Sequence, residues 1–183
     1  MKVVFLHAFP LDERMWGEGR DGIAPSLYGR GRTMDAWAES LAEEIDGQVV
    51  LVGARPDADS EERRAGRAKT ISLIRDEGPD ALWRDMAPKL FADERNADER
   101  LLHRDTDDLI AAVEAIRDRA DSTDVARALG SRLRFVIGEH DSFVSADELR
   151  EFDVREVRGA GHIVNLERAE EFDAQLQEFL DGL

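Results

Sequence analysis

The stretch 132–144, RLRFVIGEHDSFV, decides the fold. Its first half is a short apolar run closed by Gly138, as expected of a parallel strand buried on both faces. Its second half puts Asp141 just past the end of that strand, on the edge where parallel α/β sheets bind ligands. A carboxylate there can orient an imidazole or cap the turn that follows, and the residues alone leave both readings open. His140 is read as pointing away.

Towards the C-terminus, DVREV (153–157) reads as another short strand, and GAGHIVNLERAEEF (159–172) carries His162 in a Gly-rich loop. Such a loop can turn an imidazole to a cleft rather than a core, although a lone His is more often structural. A closing helix then places Ala169, Phe172, Leu176, Phe179 and Leu180 on one face. Towards the N-terminus, VVFL (3–6) is a second continuous apolar run, read as a strand starting almost at Met1. HAFP (7–10) follows, where a tight turn would expose backbone N–H groups beside His7; the plain alternative is a His that satisfies local backbone. A short run at Ile23–Ala24 ends at Pro25. Thr33 is a good N-cap for a helix carrying Met34, Trp37, Ala38, Leu41, Ala42 and Ile45 on one face, stopped by Asp46–Gly47. QVVLVG (48–53) is a further buried strand.

Between Arg55 and Ser122 the texture is helical: Ile71 and Ile74, Leu82, Trp83 and Met86, and Leu109, Val113 and Ile116 recur at helical spacing. Gly78–Pro79 and Pro88 separate these segments, and none has a strand pattern. The expectation is an α/β fold with a mainly parallel sheet of about five strands and a helical cap insertion. Residues 1–54 and 123–183 form the core and 55–122 the cap of one compact domain. No internal repeat, low-complexity tract or linker is read.

Composition narrows the function classes. The chain has 183 residues, with 25 Lys plus Arg against 41 Asp plus Glu, a net charge of −16. That field repels phosphates and anionic lipid, so neither nucleic acid nor a membrane is an expected partner. The absence of Cys excludes a disulfide framework, an all-Cys zinc site, an iron–sulfur cluster and a thiol nucleophile. No apolar run approaches the roughly 18 residues of a membrane span. Pro10, Asp12 and Glu13 fall where a signal peptide wants small residues, so a cytoplasmic location is expected. The cluster Asp105, Asp107 and Asp108 lacks the Gly and closing Glu of a calcium loop and reads as a solvated helix start; His103, nearby, reads as surface. With no His-x-x-x-His pair and no glycine-rich phosphate loop, neither metal nor cofactor is expected.

Taken in order, these segments resemble the α/β-hydrolase family in its small esterase and lactonase branch. VVFLHAFPLDERMW (3–16) is similar to that branch's strand, oxyanion turn and following helix; IAPSLYGRGRT and TMDAWAESLAEEID are similar to its next strand, Gly-rich loop and helix. The late strand with GEHD and the stretch VRGAGHIVNLERAEEFDAQLQEFL resemble its acid and histidine loops, so the resemblance runs through nearly the whole chain. It implies that Asp141 is the triad acid, His162 the general base and the Phe9 backbone N–H an oxyanion donor, with His7, Ala8 and Arg55 at the substrate. Ala8 stands where the family usually has Gly.

The chain departs from that pattern at the nucleophile. The family carries Gly-x-Ser-x-Gly on a strand-to-helix elbow, and here the strand runs into Gly53-Ala54-Arg55-Pro56-Asp57, with Arg55 in the place of the Ser. No Gly-x-Ser-x-Gly occurs elsewhere, and no elbow for an aspartate nucleophile either. GARPDADSEERRAGR resembles the family's lead-in to the cap, which implies that roughly 30 residues, about one strand–helix–strand unit, are missing between two Gly-Ala-like pairs. If strand 48–52 pairs with 132–137 in place of the lost strand, one sheet face lacks its helix. Exposed apolar area costs roughly 25 cal/mol per Å2, which predicts marginal stability or self-association through that face. The resemblance implies a relative of hydrolases of small carboxylic esters or lactones, with acid and base but no Ser nucleophile and with weak or no activity. The alternatives are a non-catalytic relative that binds a ligand or protein, and an inactive deletion product of an active hydrolase.

Overall fold

A computed structural model describes residues 3–18, 20–42 and 49–182. In chain order its main elements are α1 (Met34–Leu41), β1 (Val49–Val52), α2 (Glu61–Glu77), α3 (Pro79–Leu90), α4 (Thr106–Arg117) and α5 (Thr123–Leu129). β2 (Leu133–Gly138), β3 (Val154–Val157), α6 (Val164–Glu167) and α7 (Ala169–Asp181) follow. The chain divides into two units, one of residues 1–46, 57–85 and 98–121, the other of 47–56, 86–97 and 122–183. The stretch 55–122 is thus divided between them.

The second unit contains the sheet, in the order β1-β2-β3, parallel throughout. Val49 lies opposite Leu133 and Phe135 opposite Val154, so β1 pairs directly with β2. β2 is buried along its whole length. Leu133, Phe135 and Ile137 pack on Ala126 of α5 and on Val144 and Leu149. On its other face the Arg134 guanidinium lies 5.2 Å from the Phe179 ring of α7 and its Nε donates to Asp153 at 2.8 Å. Burying one side chain such as Phe135 contributes about 1.5–3 kcal/mol. The expected uncovered face is therefore not on β2. On β1 the side chains of residues 49–51 lie outside what is described.

Among the described residues the sheet has three strands, where about five were expected. Val4 and Ile23 form only an isolated parallel bridge, through Phe5 N–H to Ile23 O (2.8 Å) and Ile23 N–H to Val3 O (2.9 Å). The partner run is too short to extend it: Pro25, two residues on, has no N–H to give. VVFL is also not buried on both faces, since Leu6 is 40% exposed. Pro88 does not separate helices but lies inside α3. The buried face of Leu82, Met86 and Leu90 continues across it, and that burial outweighs one lost backbone bond.

In the first unit, Leu27, Trp37 and Leu41 pack on Ala112 and Ala115 of α4, and α2 also lies along α4. Thr33 caps α1 by accepting from Ala36 N–H at 3.1 Å. The expected continuation of α1 to Ile45 and its stop at Asp46–Gly47 fall outside the described residues, as do Met1 and Lys2. Asp105 caps α4, accepting from Asp108 N–H at 3.0 Å, which is the helix start expected of that acidic cluster. His103, expected at the surface, is half-buried: its ring stacks on Tyr28 at 3.7 Å and its Nε2 lies 3.0 Å from Asp108.

Candidate active site

The second unit brings the two residues of the expected dyad together. Gly138 ends β2, and no side chain fits there, because a Cβ would stand 2.1 Å from the Gly161 carbonyl oxygen. That close approach lays the loop after β2 against the loop carrying His162, and His140 N–H donates to Ala160 O at 2.8 Å across them. Asp141 is fixed first by its own turn: one carboxylate oxygen accepts from Phe143 N–H (2.8 Å) and Val144 N–H (3.2 Å). The other oxygen accepts from His162 Nδ1 at 2.9 Å. Asp141 therefore both caps and orients, with one oxygen for each task.

The carboxylate has no proton to give, so Nδ1 of His162 carries the hydrogen and Nε2 is the basic nitrogen. Nε2 makes no hydrogen bond among the described residues. The Asp141 side chain is fully buried and that of His162 is 15% exposed, which excludes bulk water from the charged link. Phe143 packs on the imidazole at 4.8 Å, and His162 N–H and Ile163 N–H both donate to Leu90 O at the end of α3 (2.8 and 3.2 Å).

Two further residues shape this centre, and the sequence reading did not single them out for it. Gly53, at the end of β1, has φ +56°, and a Cβ there would lie 2.7 Å from His162 Cε1 and Nδ1. A glycine closing a strand-like run was the available signal. Glu167 is buried beneath the histidine loop, and nothing local in the sequence distinguishes it from its acidic neighbours.

Arg55 belongs to the same unit but not to the dyad. It forms an ion pair with Glu148 at 3.1 Å and donates to Phe143 O at 3.2 Å, holding the residue that packs on His162. Together with the bonds from Ser145, the guanidinium keeps the Glu148 carboxyl below its ordinary range, against a desolvation that raises it. His140 is exposed, as expected.

His7, Ala8 and Phe9 lie in the first unit. His7 is buried and its Nε2 accepts from Leu27 N–H at 2.9 Å, a backbone amide twenty residues along the chain rather than one of its own turn. Burial pushes the imidazole below its ordinary pKa. Its Nδ1 is buried with no hydrogen-bond partner among the described residues. Ala8 N–H points to Met15 Sδ at 3.2 Å, whereas Phe9 N–H donates to nothing among the described residues.

No known family profile matches the chain, and no curated protein is similar to it in sequence. In three dimensions it is similar to a thermophilic esterase from Thermogutta terrifontis, with a TM-score of 0.82 at 22% identity over 100% of this chain and 90% of that one. A carboxylesterase structure from Nitrososphaera gargenis gives 0.77 at 18% identity, over 97% and 89%. The enol-lactonase from Burkholderia xenovorans LB400 gives 0.72 at 19%, over 97% and 90%. The chain has the α/β-hydrolase fold. The solved structures that share it include esterases, a lactonase and related hydrolases. Among the described residues no helix is long and apolar enough to cross a membrane.

Proposed function

We propose that this chain is a relative of hydrolases of small carboxylic esters or lactones that keeps the general base and its orienting acid but lacks the Ser nucleophile, with turnover weak or absent. The observation that carries the reading is the 2.9 Å contact between His162 Nδ1 and the buried Asp141, which leaves Nε2 as a base. Water takes the place of the serine. Nε2 accepts a proton as water attacks the carbonyl, Asp141 stabilises the imidazolium, and Nε2 returns the proton to the departing alkoxide. General-base assistance of this kind supplies about 10²–10⁴-fold, and removing a triad nucleophile forfeits most of an enzyme's rate. The proposal also places Arg55, of the same unit as the dyad, at a small ester-like ligand.

The missing nucleophile is supported by the path of the chain. β1 leads through Gly53, Ala54 and Arg55 to Ser60, the N-cap of α2, without a serine on a strand-to-helix elbow. The test is intact-mass analysis after treatment with a fluorophosphonate, which forms a covalent adduct with an activated serine. No adduct is expected. Stoichiometric labelling of any serine would overturn the proposal.

A further inference from the structure

Glu167 ends α6 and is buried, 7% exposed, yet the reaction proposed above has no use for its charge. All the hydrogen bonds its carboxylate makes are from N–H donors. One oxygen accepts from Gly161 N–H at 2.5 Å, and the other from Asp93 N–H at 3.0 Å and Asn96 Nδ2 at 3.3 Å. These donors lie on two separate pieces of backbone, the loop 159–163 and the segment that follows α3. The same two pieces meet at His162, whose N–H is taken by Leu90 O. They are in van der Waals contact, since a Cβ on Gly161 would stand 2.6 Å from Ala92 N and 2.8 Å from Leu90 O.

We propose that Glu167 is a positioning residue for His162, a brace that fixes the loop 159–163 against residues 90–96 and so sets the imidazole on Asp141. Three donors require a group that only accepts. An ionised carboxylate meets that requirement, and an amide of the same shape does not: its NH2 would face Gly161 N–H or the Asp93–Asn96 pair. The loop residue bonded to Glu167 directly precedes His162, so a lost bond there moves the ring's own backbone. The importance of the brace for turnover rests on the general-base reading, but the geometry it sets does not.

The experiment compares the full chain with Glu167→Gln by ring 15N NMR of histidine-labelled protein at about pH 8, above the ordinary imidazole range. The parent is expected to hold His162 as the Nδ1–H tautomer by at least about tenfold, and E167Q to bring the two tautomers within about twofold, with the fold retained by circular dichroism. A folded E167Q that only melts earlier, its tautomer ratio unchanged, would overturn the assignment. Should E167Q fail to fold, Asn96→Ala removes one donor and leaves the carboxylate. A smaller shift in the same direction supports the brace, and an unchanged ratio overturns it. A parent without the Nδ1–H tautomer would overturn the dyad itself and the brace with it, whereas absence of ester turnover alone leaves the NMR result standing.

Discussion

At the scale of single residues, His162 and His7 use their hydrogen bonds in opposite ways. His162 donates a hydrogen bond to a carboxylate, whereas His7 accepts one from the Leu27 amide and burial lowers its pKa. Its folded-state pKa lies below the ordinary 6.5, so under acid the unfolded chain binds the proton first. The His7 contribution is therefore complete above pH 6.5 and is lost as pH falls towards the folded-state value. Urea midpoints measured on either side of that pH should fall on the acid side, and His7→Gln, which keeps an acceptor for Leu27, should flatten the fall. An unchanged slope in H7Q would place the proton elsewhere. Gly53→Ala tests the close approach to His162. With φ positive and the imidazole in the way, it should cost about 1–3 kcal/mol, read as a lower urea midpoint. Asp141 and His162 stand after strands in the sequence, but position alone left their plain readings open, and only the ordered resemblance singled them out as a pair. Glu167 was not legible, because Asp93 and Asn96 lie some seventy residues away and only the folded chain brings them to it.

At the scale of elements, one short turn recurs three times along the chain. The triplet Asp-Glu-Arg occurs at 12–14, 93–95 and 98–100, and each copy opens a short 3-10 turn. In each the Asp accepts from the Arg amide two residues on, at 3.1, 3.0 and 3.0 Å, and then from the same guanidinium. The Arg95 guanidinium holds the Asp93 carboxyl down to about 2. Only the copy at Asp12 is buried. Asp12→Ala should therefore lower the thermal midpoint, by the equivalent of about 1 kcal/mol for a lost cap, and Asp98→Ala should lower it much less. Equal effects would mean that burial does not set the value of the turn. VVFL and VVLV carry the same local pattern, and only the second pairs as a strand within the sheet. The difference is the partner available to each, β2 against the two residues before Pro25, and a local pattern does not contain it.

At the scale of the whole molecule, the α/β class and the parallel sheet follow from strands alternating with helices, while the number of strands does not. Five apolar runs predicted five strands, and the described chain forms three, with the runs at Val4 and Ile23 joined only by an isolated bridge. The division into units was equally hidden, because residues 86–97 cluster with the sheet by contacts that no composition shift marks. The charge of −16 is visible at this scale alone. Self-repulsion among 41 carboxylates is screened within about 3 Å at 1 M salt, so the urea midpoint should rise between about 0.05 and 1 M sodium chloride, a range over which the screening length shortens about fourfold. A midpoint that falls with salt would mean that the ion pairs outweigh the net field.

The most direct test of a base without a nucleophile is the time course of p-nitrophenyl acetate hydrolysis by the full chain and by His162→Ala. The prediction is that whatever turnover the parent shows begins without a burst and disappears in H162A. A stoichiometric burst would reveal an acyl-enzyme and hence a nucleophile, and a rate retained in H162A would remove His162 from the chemistry.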